Sequence, residues 1–295
     1  MSNPGRQRGV ALLSVLLITA LVTLVVSNML ARQRLSLHSS SNLVQQQQLW
    51  QLALSGESWA RRQLLEDARS EGGLLVTHLG QHWAQPAPVF ELDGARIHIQ
   101  LEDLSARLNL NSLRQGNNLN LRARYQRLLA LQGIKAHDPA RLIGQNNREG
   151  VPLPLSDLSQ LRQLPEVDSQ GLRQLEPLVG AFDNSTINVN TTRAEVLASV
   201  EGIDLPTART LVDSRPAKGY PNLAAFLSNP MLQGRDINPQ GLGVSSRQFR
   251  ATIDVEQGSR RLRLVSDLRL MDTKKVRVQQ RTLLPSPPPD QSKTE

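Results

Sequence analysis

The sequence predicts an α+β fold: one long N-terminal helix packed on a small antiparallel sheet, with a large all-helical segment inserted between two groups of strands. Three observations carry it. An uncharged apolar run opens the chain, and no proline follows from Val10 to Asp67. Segments that alternate apolar and polar residues stand at 88–102 and again at 247–284. The stretch between them, 103–246, has helical patterning.

The apolar run, Val10 to Ala31, would measure about 33 Å as a helix, enough to cross a hydrocarbon core of roughly 30 Å. Its far end, "SNMLARQR", is a poor small-x-small cleavage site. Downstream, Leu49, Ala53, Gly56, Ala60 and Leu64 recur at helical spacing, so an amphipathic continuation is expected to about Glu66, with a break at "HSSSN" (His38 to Asn42), and residues 32–87 form this helix and a linker. In "PVFELDGARIHIQLEDL", Val89, Ile97, Ile99 and Leu101 alternate with polar positions and Asp93-Gly94 signals a hairpin. "RQFRATIDVEQGSRRLRLVSDLRL" repeats this pattern around Gln257-Gly258, and "KKVRVQQRTLL" adds a strand, giving about five in all. The tail, 285–295, is proline-rich and polar and reads as disordered.

Composition excludes several classes of function. The chain has no cysteine, hence no disulfide, thiolate metal site or cysteine nucleophile. No G-x-S-x-G, H-E-x-x-H or phosphate-binding glycine loop occurs, and the carboxylates are dispersed, so an enzyme is not expected. His78 and His82 stand four apart, but "THLGQHWAQP" reads as a loop rather than a metal-binding helix face. A formal charge of +8 suits nucleic acid, anionic lipid or acidic proteins alike.

Arg6, Arg8 and Gly9 directly precede the apolar run. The residues alone leave open ordinary signal cleavage, a plain anchor, or a leader trimmed at the glycine. The arrangement resembles the type IV prepilin leader. That resemblance implies a leader 1–9, cleavage after Gly9 by a prepilin peptidase, and Val10 as the new, N-methylated terminus. Glycine suits the position because no side chain obstructs the enzyme. Residues 10–31 would be the transmembrane part of the helix. Ser14 stands at the fifth mature position, where the family has Glu.

Within 103–246, two N-x-N elements, Asn109/Asn111 and Asn188/Asn190, precede helix-like segments and read as caps, with Thr191 or Thr192 capping "RAEVL" and Glu195 in its first turn. "LASVEGIDLPTARTLVDSR" resembles a helix-hairpin-helix, and "LSQLRQLPEVDSQGLRQLEPLV" a degraded copy. A phosphate-binding turn would be G-x-G; here Asp204 takes the second glycine position and the copy ends in Asp168. Both place a negative charge where phosphate would sit.

The leader without Glu, "DLSARLNLNSL" and a helical insertion ending "INVNTTRAEVLASVEGI" together resemble the minor pseudopilin K family of type II secretion. The resemblance implies a type IV pilin-like fold, an inner-membrane anchor with the N-terminus cytoplasmic and a periplasmic head. It also implies a place at the pseudopilus tip with minor pseudopilins I and J, and H nearby, where the subunit helps initiate or cap assembly for protein export. It admits calcium; Asp103, Asp183 and Asp204 are candidate acids, but no contiguous calcium loop is present and the ligands stay unassigned. Nucleic acid is not an expected partner. The alternative reading is a membrane-anchored DNA receptor using the hairpin region.

Overall fold

A computed structural model describes residues 5–70, 73–114, 119–143, 153–183 and 186–286; within the first helix, side chains are described at 14–30, 32–33 and from 42 onward. In chain order the elements are helix α1 (Gly5–Arg69), strands β1 (Phe90–Leu92), β2 (Ala95–Asp103) and β3 (Leu108–Asn109), then helices α2 (Leu119–Leu131), α3 (Ala140–Ile143) and α4 (Ser169–Leu175). Strands β4 (Val179–Gly180) and β5 (Ile187–Asn188) follow, then helices α5 (Ala194–Ala198), α6 (Leu205–Asp213) and α7 (Leu223–Leu227). Strands β6 (Leu242–Gly243), β7 (Gln248–Gln257), β8 (Arg260–Leu270) and β9 (Val276–Leu284) complete the chain. Packing divides it into two compact units, residues 1–52 and 53–295.

The first unit is helix throughout its described part. The expected break at His38–Asn42 is absent, because serine is only a modest helix breaker and an established helix on both sides carries through it. Every described side chain from Ser14 to Leu30 is exposed. Within that run the Thr19 and Thr23 hydroxyls donate to the carbonyls of Leu16 and Thr19, so each is satisfied by its own helix. Among the described residues no helix is long and apolar enough to cross a membrane. The apolar run Val10–Ala31 extends beyond the described side chains at both ends.

In the second unit, the rest of α1 lies on a five-stranded antiparallel sheet of order β1-β2-β7-β8-β9. The stripe expected from spacing is the face that is covered: Ala53, Gly56, Ala60 and Leu64 are all buried, as is Ala68 a turn later. Gly56 is where helix and sheet come closest. A Cβ there would stand 2.7 Å from Cγ2 of Ile253 on β7. Asp93 and Gly94 both take positive φ, 52° and 73°, the type I′ geometry that a two-residue hairpin between β1 and β2 demands. The β7–β8 turn is Gly258-Ser259, one residue later than the Gln257-Gly258 expectation, with Gly258 at φ 58°. On β9, Gln279 is an extra residue opposite Asp267 and Leu268, a β-bulge in the edge strand.

Helix and sheet are also pinned by charge. Glu57 of α1, its side chain 2% exposed, receives two hydrogen bonds from Arg281 of β9, at 2.6 and 2.9 Å, and one from the Ser266 hydroxyl of β8 at 2.8 Å. Burial alone would push this carboxyl up. The bonds from Arg281 and Ser266, with the charges of Arg281 and Arg61, outweigh it and hold the group below the ordinary glutamate value. A depressed folded-state pKa contributes stability above the unfolded value of 4.5, lost as pH falls through the folded value. Acid titration of the folded chain is therefore expected to show a loss of stability below pH 4.5 that Glu57→Gln lacks. Arg281→Ala, which strands the carboxylate, should cost about 2–3 kcal/mol at neutral pH by denaturant melting.

The chain from Leu108 to Leu242 has a core of its own, centred on Tyr125, Leu128, Leu129, Leu161, Leu172, Leu197 and Phe226. This region is not all-helical as expected. It contains two short parallel pairs, β3–β4 and β5–β6, and each brings an N-x-N element against a distant segment. The tail from 287 lies outside the described residues.

Candidate functional site

The region leaves the sheet at Asp103, the last residue of β2, and returns just before β7; Asp103 pairs with Phe249 across that junction. Here the structure brings together residues the sequence presents as separate motifs. Asp103 is buried, and its carboxyl accepts from four donors: the Ser105 amide at 2.8 Å, the Asn188 side-chain amide at 3.2 Å, and the Thr191 and Ser246 hydroxyls at 2.5 Å each. Burial pushes its carboxyl above the ordinary range, and those four bonds oppose the push. A carboxylate so filled has no open position for a ligand.

The two asparagine pairs do the same job twice, and it goes beyond the helix capping that Asn109 performs on the 3₁₀ helix Leu110–Arg114. Asn109 Oδ1 accepts from the Asn111 amide at 3.2 Å, and Asn188 Oδ1 from the Asn190 amide at 2.9 Å. The second Asn of each pair then docks like a strand on a distant backbone. Asn111 takes the Leu155 N–H (2.8 Å) and gives to its carbonyl (2.9 Å); Asn190 does so with Tyr220, at 2.7 and 3.1 Å. An amide carries a donor and an acceptor at the spacing of a peptide group, which is why Asn fits where Asp or Ser would satisfy only half. The expected caps at Thr191 and Thr192 are displaced too: their hydroxyls go to Asp103 and to the Ala106 carbonyl, and Arg193 stands at the start of α5 without a side-chain cap bond. Spacing gave no sign of these long-range bonds, because the partners lie from 30 to 88 residues away.

The expected helix-hairpin-helix is present as α5, a turn and α6. Gly202 takes φ 80°, and a Cβ there would meet the Asp236 carbonyl at 2.9 Å, so glycine is required. Asp204 is exposed but already engaged. It caps α6 through the Thr207 amide (2.8 Å) and pairs with Arg235 at 2.9 Å, and its carboxyl is held down to about 2, first by the Thr207 amide and then by Arg235. Arg235 also donates to the Gly202 carbonyl, so the turn is closed over by its own neighbour instead of offering amides to a phosphate. In the degraded copy, Asp168 caps α4 through the Gly171 amide.

The other candidates are dispersed. Asp183 pairs with Arg269 and lies 3.3 Å from the Gln279 side-chain amide. His82 Nδ1 meets Asp67 Oδ1 at 2.9 Å, whereas His78 Nδ1 accepts from the Gly80 amide. Among the described residues no three acids or histidines gather as a metal site, and Asp103, Asp183 and Asp204 each serve a different structural bond. Ser14 is exposed on α1; Gly9 and Val10 fall outside the described side chains.

Comparison with known proteins agrees with this architecture. Residues 187–245, the segment from β5 through the hairpin to β6, match the family model for type II secretion system (T2SS), protein K. The type II secretion system protein K of Pseudomonas aeruginosa is 32% identical over 94% of this chain and 93% of its own. That of Klebsiella pneumoniae is 32% identical over 87% of this chain and 90% of its own. A chain in the crystal structure of the GspK-GspI-GspJ complex from enterotoxigenic Escherichia coli superposes with a TM-score of 0.67 at 26% identity, covering 82% of this chain and 99% of that one. With such identity over nearly its whole length, the chain belongs to the type II secretion system protein K family.

Proposed function

We propose that this chain is a non-enzymatic minor pseudopilin with a type IV pilin-like fold. Residues 10–31 anchor it in the inner membrane, and its head lies at the tip of a periplasmic pseudopilus with the I and J subunits, H being nearby. The observation that carries the reading is α1 itself. It presents only exposed side chains from Ser14 to Leu30, twelve of the seventeen apolar and none charged, and the same continuous helix then supplies a small-residue face to an antiparallel sheet. Exposed apolar surface on that scale needs lipid or other helices around it. The crystallised relative assembles with GspI and GspJ, which supports I and J as partners. Ser14 supports a terminal position: without a carboxylate there, the subunit cannot pair with the amine of a neighbour above it. Processing after Gly9 and methylation of Val10 belong to the same proposal.

The test is co-purification of the tagged full-length chain from detergent-extracted membranes together with the I and J subunits of its own system. A ternary complex is expected, and release of the chain by a carbonate wash is not. Failure to retain either subunit, or binding of duplex DNA with a steep inverse salt dependence, would overturn the reading.

A further inference from the structure

The Asp103 carboxylate collects more of the chain than the departure and return of the helical region. Asn188, one of its donors, also gives to the Thr77 carbonyl (3.1 Å) and the Ser246 hydroxyl (2.8 Å). Thr77 lies in the linker between α1 and β1; its hydroxyl accepts from the Ser246 amide at 2.9 Å, and its amide donates to the Val244 carbonyl at 2.8 Å. Four segments thus meet in one closed network: the linker, the end of β2, the β5 segment and the chain returning to β7. Thr77, Asp103, Asn188 and Ser246 are all at most 5% exposed, so water cannot substitute for a lost partner. The network stands where two chain crossings join the helical region to the sheet, which is where a hinge would otherwise form.

We propose that Asp103 is a positioning residue: its buried carboxylate locks the helical region on the sheet in one orientation, and so fixes the surface that region offers to a partner polypeptide. Opening the joint would break the bonds from Asn188, Thr191 and Ser246 at once and leave Asp103 only the Ser105 amide of its own turn. The part concerning partners rests on the pseudopilin reading; the orientation itself does not.

The chain has no cysteine, so two introduced thiols can be spin-labelled uniquely. Ser259→Cys in the β7–β8 turn and Ala224→Cys on α7 are both exposed positions on either side of the joint. Pulsed dipolar spectroscopy on the full-length protein in detergent is expected to give one narrow distance distribution. Asp103→Ala should broaden and shift it. Should that variant fold poorly, Thr191→Val with Ser246→Ala keeps the carboxylate but removes two of its donors, and should do the same. Leu172→Ala, a core truncation within the helical region, should lower the melting temperature and leave the distribution narrow. An unchanged distribution in both joint variants, or equal broadening in Leu172→Ala, overturns the proposal. In the co-purification assay the joint variants should retain the I and J subunits at least about tenfold less well than Leu172→Ala. If even the unmodified chain fails to retain them, the assembly reading falls and the distance distributions alone decide the lock.

Discussion

Replacing Gly9 by valine is expected to leave the chain at its full 295 residues and to abolish export by its secretion system. Peptide hydrolysis at this bond requires the enzyme to close on the backbone of residue 9. A β-branched side chain there blocks that approach and restricts the local torsions. The consequence is all-or-none because the new amino terminus is a chemical group, not an increment of stability. Without cleavage, Arg6 and Arg8 stay attached to a helix whose start should lie among apolar neighbours, where each charge costs several kcal/mol. Intact-mass measurement on membrane-extracted protein checks this. The unmodified chain should be nine residues lighter and one methyl group heavier, and Gly9→Val should carry neither change. A Gly9→Val chain that is still trimmed, or that supports normal export, removes the processing proposal; Gly9→Ala, with a single methyl, should be trimmed slowly.

The second large effect is at Gly56. Glycine inside a helix costs about 1 kcal/mol relative to alanine, so Gly56→Ala gains that much in propensity. The new methyl meets Ile253 Cγ2 at 2.7 Å and Ile97 Cγ2 at 3.4 Å, and overpacking of that kind costs about 1–3 kcal/mol. The two nearly offset, and alanine should destabilise by about 0–2 kcal/mol. Leucine has no such balance. Its branches must enter a space occupied by fully buried Ile253, so α1 must lift from the sheet. Lifting it separates Glu57 from Arg281 and uncovers Ala53, Ala60 and Leu64. Gly56→Leu should therefore cost more than about 4 kcal/mol and show exposed apolar surface by dye binding. A leucine variant that melts like the parent would mean the close approach is not rigid.

The contrast between Gly56 and Asp103 explains what was legible in the sequence. Gly56 belongs to a stripe with period 3.6, Asp93-Gly94 to a two-residue turn, and Ile97 and Ile99 to period two. Each is a local pattern set by backbone geometry, and each appears where spacing places it. The same holds for the hairpin around Gly202. Asn188, Asn190 and Thr191 were visible only as residue types with local habits, capping above all, and Asp103 only as one of several dispersed acids. In the fold Asp103 keeps a local bond from the Ser105 amide, but its other donors are the distant Asn188, Thr191 and Ser246, since a buried carboxylate must gather donors wherever they come from. Glu57 gave still less sign. A single acid among alanines and leucines on a helix face reads as solvated until Arg281, 224 residues later, is seen beside it. The acids named as calcium candidates, Asp103, Asp183 and Asp204, stand apart from one another, and each has a structural partner far along the chain: Thr191, Arg269 and Arg235.

The pairing of β2 with β7 has a consequence for how the chain acquires its shape. Asp103 and Phe249 are neighbours in space but 146 residues apart along the chain. Closing so long a loop from a disordered ensemble costs about 4 kcal/mol of entropy before any ladder bond forms, several times the closure cost of a two-residue hairpin such as β7–β8. Once the intervening region has condensed on its own core, the ends to be joined are tethered a few residues apart and that penalty largely disappears. The order of events follows: the inserted region and the C-terminal β7–β8–β9 meander form early, and β2 zips onto β7 last.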